Sequence, residues 1–304
     1  DAGSGWSNIR KMLLDRNLLD CIVALPKNLF YGTDITTYLW ILDNKRSAER
    51  HDKVLFINAA HAEYTKLLQK NLGKKRFEIA EDGAMDILTM YREYTDAIRD
   101  IVYDKTGEVE HLQVARLLDY DDFRYTTVAT RRPLRLWYED ITGKYATLCE
   151  DEEFDANAKK NAILETVSEI DGIDEKRSDS EFFAYLKATK AKYTAAELKL
   201  LRSMFGTISE DAPEVHEKPL NDKSDFVADT NLNDTEKIPQ KQDIDQYFEQ
   251  EVLPYAPDAW MDRSKDKLGV EFPFTRIFYK YRPLRSANEI LAELTSLDDK
   301  INII

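Results

Sequence analysis

Only two cysteines, Cys21 and Cys149, occur in 304 residues. They lie far apart and one sits in an apolar run, so a disulfide framework is excluded and a reducing cytoplasm is expected. Histidine is equally scarce, with four scattered residues (51, 61, 111 and 216) and no Cys/His cluster. That leaves a zinc site without a ligand set, and no metal is expected. No apolar run approaches the roughly 20 residues that cross a bilayer, and no signal-peptide pattern is present, so no membrane partner is expected. Gly-x-Gly occurs once, at Gly3-Ser4-Gly5, before a helical pattern but after no strand, which is the wrong context for a cofactor loop. The nine prolines are all separated from one another.

Length allows about two domains. With 43% hydrophobic and 11% aromatic residues, the chain has enough apolar mass for cores and is not disordered as a whole. The most informative stretch runs from Asp20 to Asp43. Two apolar runs, 20–25 and 35–42, are rich in Ile, Val, Leu, Tyr and Trp and suit strands buried on both faces of a sheet. The loop between them presents Phe30 and Tyr31 side by side, where turn chemistry favours Asn, Asp or Gly.

This segment, with Ser7-Asn8-Ile9-Arg10-Lys11 ahead of it, resembles the modification subunit of type I restriction–modification systems, an adenine-N6 DNA methyltransferase. The pattern is an Ile-Arg-Lys helix, an apolar strand, Leu-Pro-x-x-(Leu/Met)-Phe-Tyr, a Gly-containing turn and a Thr-Tyr-x-Trp-Ile-Leu strand. All of these stand here in order. Asn71-Leu-Gly-Lys-Lys-Arg76 and Arg131-Arg-Pro-Leu-Arg-Leu136 match further elements, as do 234–283. The resemblance implies methyl transfer from S-adenosylmethionine to adenine N6 in double-stranded DNA. It also exposes an absence, because the family's catalytic loop carries adjacent prolines and its donor loop a glycine motif after a strand. The chain is therefore expected to be the C-terminal part of a longer subunit, with no catalytic and no cofactor-binding residues of its own, and inactive as it stands.

The expected architecture is an α/β remnant, the last strands of a Rossmann-like methyltransferase sheet, followed by a mainly α-helical C-terminal domain. Residues 1–62 form the methyltransferase remnant, 63–206 a mainly helical region, 207–236 an acidic linker or mobile loop, and 237–304 a helical subunit-docking region. The spacing predicts a helix over 7–16 with Ser7 as N-cap, a third strand over 54–57, and helix over 62–100 broken at Gly73. The first two strands would lack the strands they pair with, leaving open edges. Thr194-Ala-Ala-Glu197 is a capping box, with Gly206 at the C-terminal cap of the same helix.

Phe30 is the sharpest candidate. Loop context alone leaves a core role open; the resemblance implies stacking on the extruded target adenine, which base-modifying enzymes hold against aromatic or apolar side chains. Asn28 and Tyr31 are candidates for the same pocket. Lys74, Lys75, Arg76, Arg131 and Arg132 are candidate phosphate contacts, although a solvated helix end or rim is the commoner explanation for such clusters. The net charge of −14 argues that sequence-independent DNA affinity is small. Ser286-Ala-Asn-Glu289 is a second capping box, after which Ile290, Leu294, Leu297 and Ile301 recur at a coiled-coil spacing. That stripe is the candidate docking face, for which the resemblance implies a specificity subunit, with a restriction (nuclease) subunit as a further candidate partner. A non-catalytic module that docks a DNA-recognition subunit is the rival reading, and a single-chain type II methyltransferase a second.

Overall fold

The unbroken run of buried Cys21, Ile22, Val23 and Ala24 makes β1 (Leu19–Leu25) an interior strand of one sheet. In this computed structural model, which describes residues 2–103, 108–149, 175–187, 194–281, 284 and 286–301, the chain divides into two compact units. One comprises Gly5–Phe123 with Val270–Ile304, the other Asp1–Ser4 with Arg124–Gly269.

In the first unit, α1 (Gly5–Asp15) leads into β1, which is flanked by antiparallel β2 (Thr37–Leu42) and parallel β3 (Lys53–Asn58). A hairpin follows, β4 (Thr65–Leu72) and β5 (Lys75–Ile79), then α2 (Glu81–Glu93), β6 (Ala97–Tyr103) and β7 (Glu108–Asp119). The sheet order is β2-β1-β3-β7-β6. One face is closed by α2 through Met90 and Tyr94, against Val23, Leu55, Ile57 and Val114. The other is closed by Leu13 and Leu14 of α1 with Phe123 and Val270, around Phe56. Phe56 stacks on Phe123 at 5.2 Å. Removing such a fully buried ring costs about 3–5 kcal/mol.

The second unit begins with β8 (Arg124–Arg131) and β9 (Leu136–Tyr138), then α3 (Ile141–Cys149) and β10 (Arg177–Ser178). Next come α4 (Asp179–Leu186), α5 (Ala195–Phe205) and β11 (Gly206–Ile208). β12 (Asp234–Pro239) and β13 (Trp260–Val270) flank β8. Its core gathers Tyr138, Phe182, Phe183, Leu201, Phe205 and Val215. Within it Arg202 forms two bonds to Asp179, at 3.0 and 2.7 Å, and the Tyr138 hydroxyl donates to the same carboxylate at 2.7 Å.

Several expectations change. The sheet is mixed, and the described residues after 62 are not mainly helical. Residues 62–79, expected as helix, form the β4–β5 hairpin, because Gly73 takes a φ of +59° at a two-residue turn between Leu72 and Lys75. Such a turn needs the positive φ that glycine tolerates. The helix that does form, α2, stops where Tyr94 turns left-handed at φ 53°, so residues 95–100, expected as helix, lie outside it and lead into β6. β1 has both neighbours, yet β2, expected to be buried, is an edge strand with Tyr38, Leu39 and Trp40 roughly half exposed. Ser7 lies inside α1 rather than capping it, because its hydroxyl accepts the Val270 N–H at 2.9 Å.

Residues 207–236 are no simple linker. Arg135 bridges Glu214 and His216 bridges Phe226, while Ala212 and Val215 are buried. Residues 237–304 contain β13, and β12 begins at Asp234, so that region is not purely helical either. The Thr194 capping box forms as expected, with the threonine hydroxyl accepting from Glu197 N–H at 3.3 Å. Gly206 ends that helix with an extended φ of −77° and not in a left-handed cap.

Candidate nucleic-acid interface

The loop from Pro26 to Asp34 leaves β1 and is fixed at its backbone before it reaches β2. Asn28 adopts a φ of +59°, which its short amide side chain tolerates. Its carbonyl accepts the N–H groups of Arg76 at 2.9 Å and Phe77 at 3.3 Å. Its Nδ2 donates to the Lys74 carbonyl at 3.1 Å, and the Tyr31 carbonyl accepts Lys74 N–H at 3.0 Å. The hairpin tip comes so close that a Cβ on Gly73 would lie 2.8 Å from Cε2 of Tyr31 and 2.9 Å from its carbonyl oxygen. Held this way, Phe30 is 46% exposed and Tyr31 73%. Neither ring is a core residue, and two large aromatics standing open on a pinned backbone are the mark of a contact surface.

Sequence-distant candidates thus converge: Asn28 and Tyr31 bond to Lys74 and Arg76, which brings the loop that carries Phe30 to the tip of the hairpin. Lys74 Nζ sits 3.4 Å from Asp34, both side chains being exposed. The Asp34 carboxyl is held below its ordinary range by a backbone N–H and by Lys74. So exposed an ion pair is readily exchanged for another anion. Lys75 and Arg76 have no carboxylate in ion-pair contact among the described residues. Beside the loop lies a cleft of about 580 Å³ lined by Pro26, Lys27, Thr36, His61, Leu67 and Phe77. Burial holds the His61 imidazole below its ordinary value, so it is neutral at pH 7, and its Nε2 has no hydrogen-bond partner among the described residues. Gly73 and His61 were missed as site residues in the sequence. For Gly73 the signal was present, a glycine directly before three cations.

Arg131 and Arg132 stand in the other unit and are engaged. Arg132 Nε donates to Asp258 at 2.8 Å, and Arg131 lies 3.5 Å from Asp262. The Arg132 guanidinium, with Arg135, holds the Asp258 carboxyl below the usual carboxylate range, and the Ser264 hydroxyl and N–H, with Arg131, do the same for Asp262. A phosphate would have to displace these acids. The C-terminal helix, Ala287–Ile301, starts at the expected capping box, with Ser286 N–H donating to Glu289 at 2.9 Å. Ile290 and Leu294 are 44% and 54% exposed. The side chains of Leu297 and Ile301 lie outside the described residues.

A Cβ on Gly5 would meet nothing within 4 Å, and one on Gly3 only a lysine methylene at 3.7 Å. The Gly3-Ser4-Gly5 motif therefore makes no close cradle for a ligand. Among the described residues no His/Cys/Asp/Glu group is arranged to hold a metal, and no helix is long and apolar enough to cross a membrane.

Residues 2–115 match the family model described as N-6 DNA Methylase. A type I restriction enzyme methylase subunit (MjaVIII) of Methanocaldococcus jannaschii is 33% identical over 94 residues, 31% of this chain and 16% of that protein. The HindI methylase subunit of Haemophilus influenzae is 41% identical over 58 residues, 19% of this chain and 13% of that protein. The chain therefore spans less than a fifth of the length of either relative. A crystal structure of the type I restriction-modification methyltransferase subunit from Streptococcus thermophilus is 26% identical, covers 40% of this chain and 20% of that one, and has a TM-score of 0.29. The resemblance to modification subunits of type I systems thus holds, and it is concentrated in the unit that carries the Phe30 loop.

Proposed function

We propose that this chain, whose residues 2–115 match the N-6 DNA methylase family, is the part of a type I methylase subunit that receives the target base and docks a partner subunit. The protein it belongs to transfers a methyl group from S-adenosylmethionine to adenine N6 in duplex DNA. The supporting observation is the convergence of Phe30, Tyr31 and Asn28 with Lys74, Lys75 and Arg76. Adenine must leave the duplex for its N6 to be reached, and the flipped base is then held by stacking. Phe30 offers an exposed ring for that contact. The neighbouring cations lie where they can engage the phosphates flanking an extruded nucleotide, positioning the strand without reading sequence. In this reading the chain supplies orientation and stacking, while the donor and the proton acceptor lie in other residues of the enzyme.

The exposed apolar stripe on the C-terminal helix favours a second role for the same chain, docking the specificity subunit that selects the DNA site. The test of the stacking role is methylation by the assembled enzyme. Phe30→Ala is expected to slow methylation of a matched duplex more than of a mismatched one, where extrusion costs less. Equal losses on both substrates, or no loss, would remove Phe30 from the mechanism.

A further inference from the structure

We propose that the β4–β5 hairpin is a clasp that presets the aromatic loop before DNA arrives, with Gly73 as a positioning residue for Phe30. This rests on the stacking reading above and deepens it. The loop carries no regular ladder of its own beyond one bridge between Phe30 and Thr33. Its shape is imposed from more than 40 residues away in sequence, by the contacts of Asn28 and Tyr31 with residues 74–77.

Three features single out the hairpin tip. The Lys74 and Arg76 N–H groups point away from their own two-stranded ladder and donate to loop carbonyls. Gly73 combines a φ of +59° with the Tyr31 ring and carbonyl where its Cβ would be, so a side chain there has to push the loop aside. Lys74 then belongs to both parts at once: its main chain grips the loop and its side chain stands among the hairpin's cations. Phosphate contact at the tip and the placement of Phe30 are therefore mechanically one event. A ring displaced by about 1 Å from its productive position loses up to roughly a hundredfold in rate, so a preset loop matters more here than a preset affinity.

Two measurements decide it. Amide hydrogen exchange on the chain itself is expected to show Lys74 and Arg76, although exposed, protected to the level of the β4–β5 ladder. Free exchange at both overturns the clasp, whatever Phe30 does. In the assembled enzyme, with 2-aminopurine at the target adenine, Gly73→Val keeps every charge. It is expected to reduce the fluorescence rise that reports base extrusion and to lower kcat on duplex by roughly tenfold to a hundredfold. A folded Gly73→Val enzyme with normal kcat and extrusion overturns the proposal. If Phe30→Ala leaves methylation untouched, the stacking reading fails instead, and the exchange data still judge the clasp.

Discussion

Asp20 ties four elements together through one buried carboxylate. Its oxygens accept Arg46 Nε at 2.9 Å, Arg50 Nη1 at 3.0 Å and the Tyr91 hydroxyl at 2.6 Å. Arg46 goes on to the hydroxyls of Tyr94 and Tyr120, at 2.8 Å each, so β1, α2 and the turns before β3 and β8 share one network. Such a buried charge is tolerated because both its oxygens accept hydrogen bonds, two of them from guanidiniums. Burial and the Asp20 carboxylate push the Tyr91 phenol up to about 12 from an ordinary value near 10. The sign follows: the native state keeps this proton where the unfolded chain loses it, so the contribution is complete below pH 10 and is lost as pH rises through about 12. Urea midpoints are expected to fall across that window, and less steeply in Tyr91→Phe. A variant as steep as the parent would place the dependence in the other tyrosines. None of this network was visible in the sequence, because its members stand 26 to 74 residues apart. Phe30 was visible, since an aromatic pair in a turn contradicts local turn chemistry.

At the scale of elements, what could be read was whatever depends on short range. The three strands from 19 to 58 and both capping boxes were legible because apolar runs and cap residues act over a few positions. The hairpin at 65–79 was not. Its leucines sit at spacings that suit helix and strand alike, and the decision comes from Gly73 packing on Tyr31, a contact between distant segments. Burial of β2 was overread for a related reason: an apolar strand can equally be an edge whose rings meet Phe272 and Phe274 at 5.6 and 5.1 Å. On the C-terminal helix, Ile290 and Leu294 stand about half exposed among the described residues. Ile290→Asp with Leu294→Asp is expected to leave circular dichroism unchanged, because both side chains are already open. Losing two such residues from a packed seam costs about 2–5 kcal/mol each, so co-purification with a specificity subunit should fail. Normal assembly by this double variant would move docking away from the helix.

For the molecule as a whole, a net charge of −14 makes any DNA contact local, since acidic surface repels phosphate wherever it faces it. The hairpin reverses that balance: Thr65–Ile79 holds five basic residues and one acidic. Arg131 and Arg132, by contrast, are neutralised by Asp258 and Asp262. The two clusters, indistinguishable in the sequence, thus differ in what they can offer a polyanion. Each phosphate neutralised adds about 0.9 to the slope of log affinity against log salt. Replacing Lys74, Lys75 and Arg76 together by alanine should therefore flatten that slope by roughly 2 to 3 in the assembled enzyme. Replacing Arg131 and Arg132 should leave it nearly unchanged, because their removal frees two carboxylates and releases no phosphate. If the arginine pair flattens the slope and the hairpin does not, the DNA backbone follows the second unit, and the Phe30 loop loses the cations that would hold its strand.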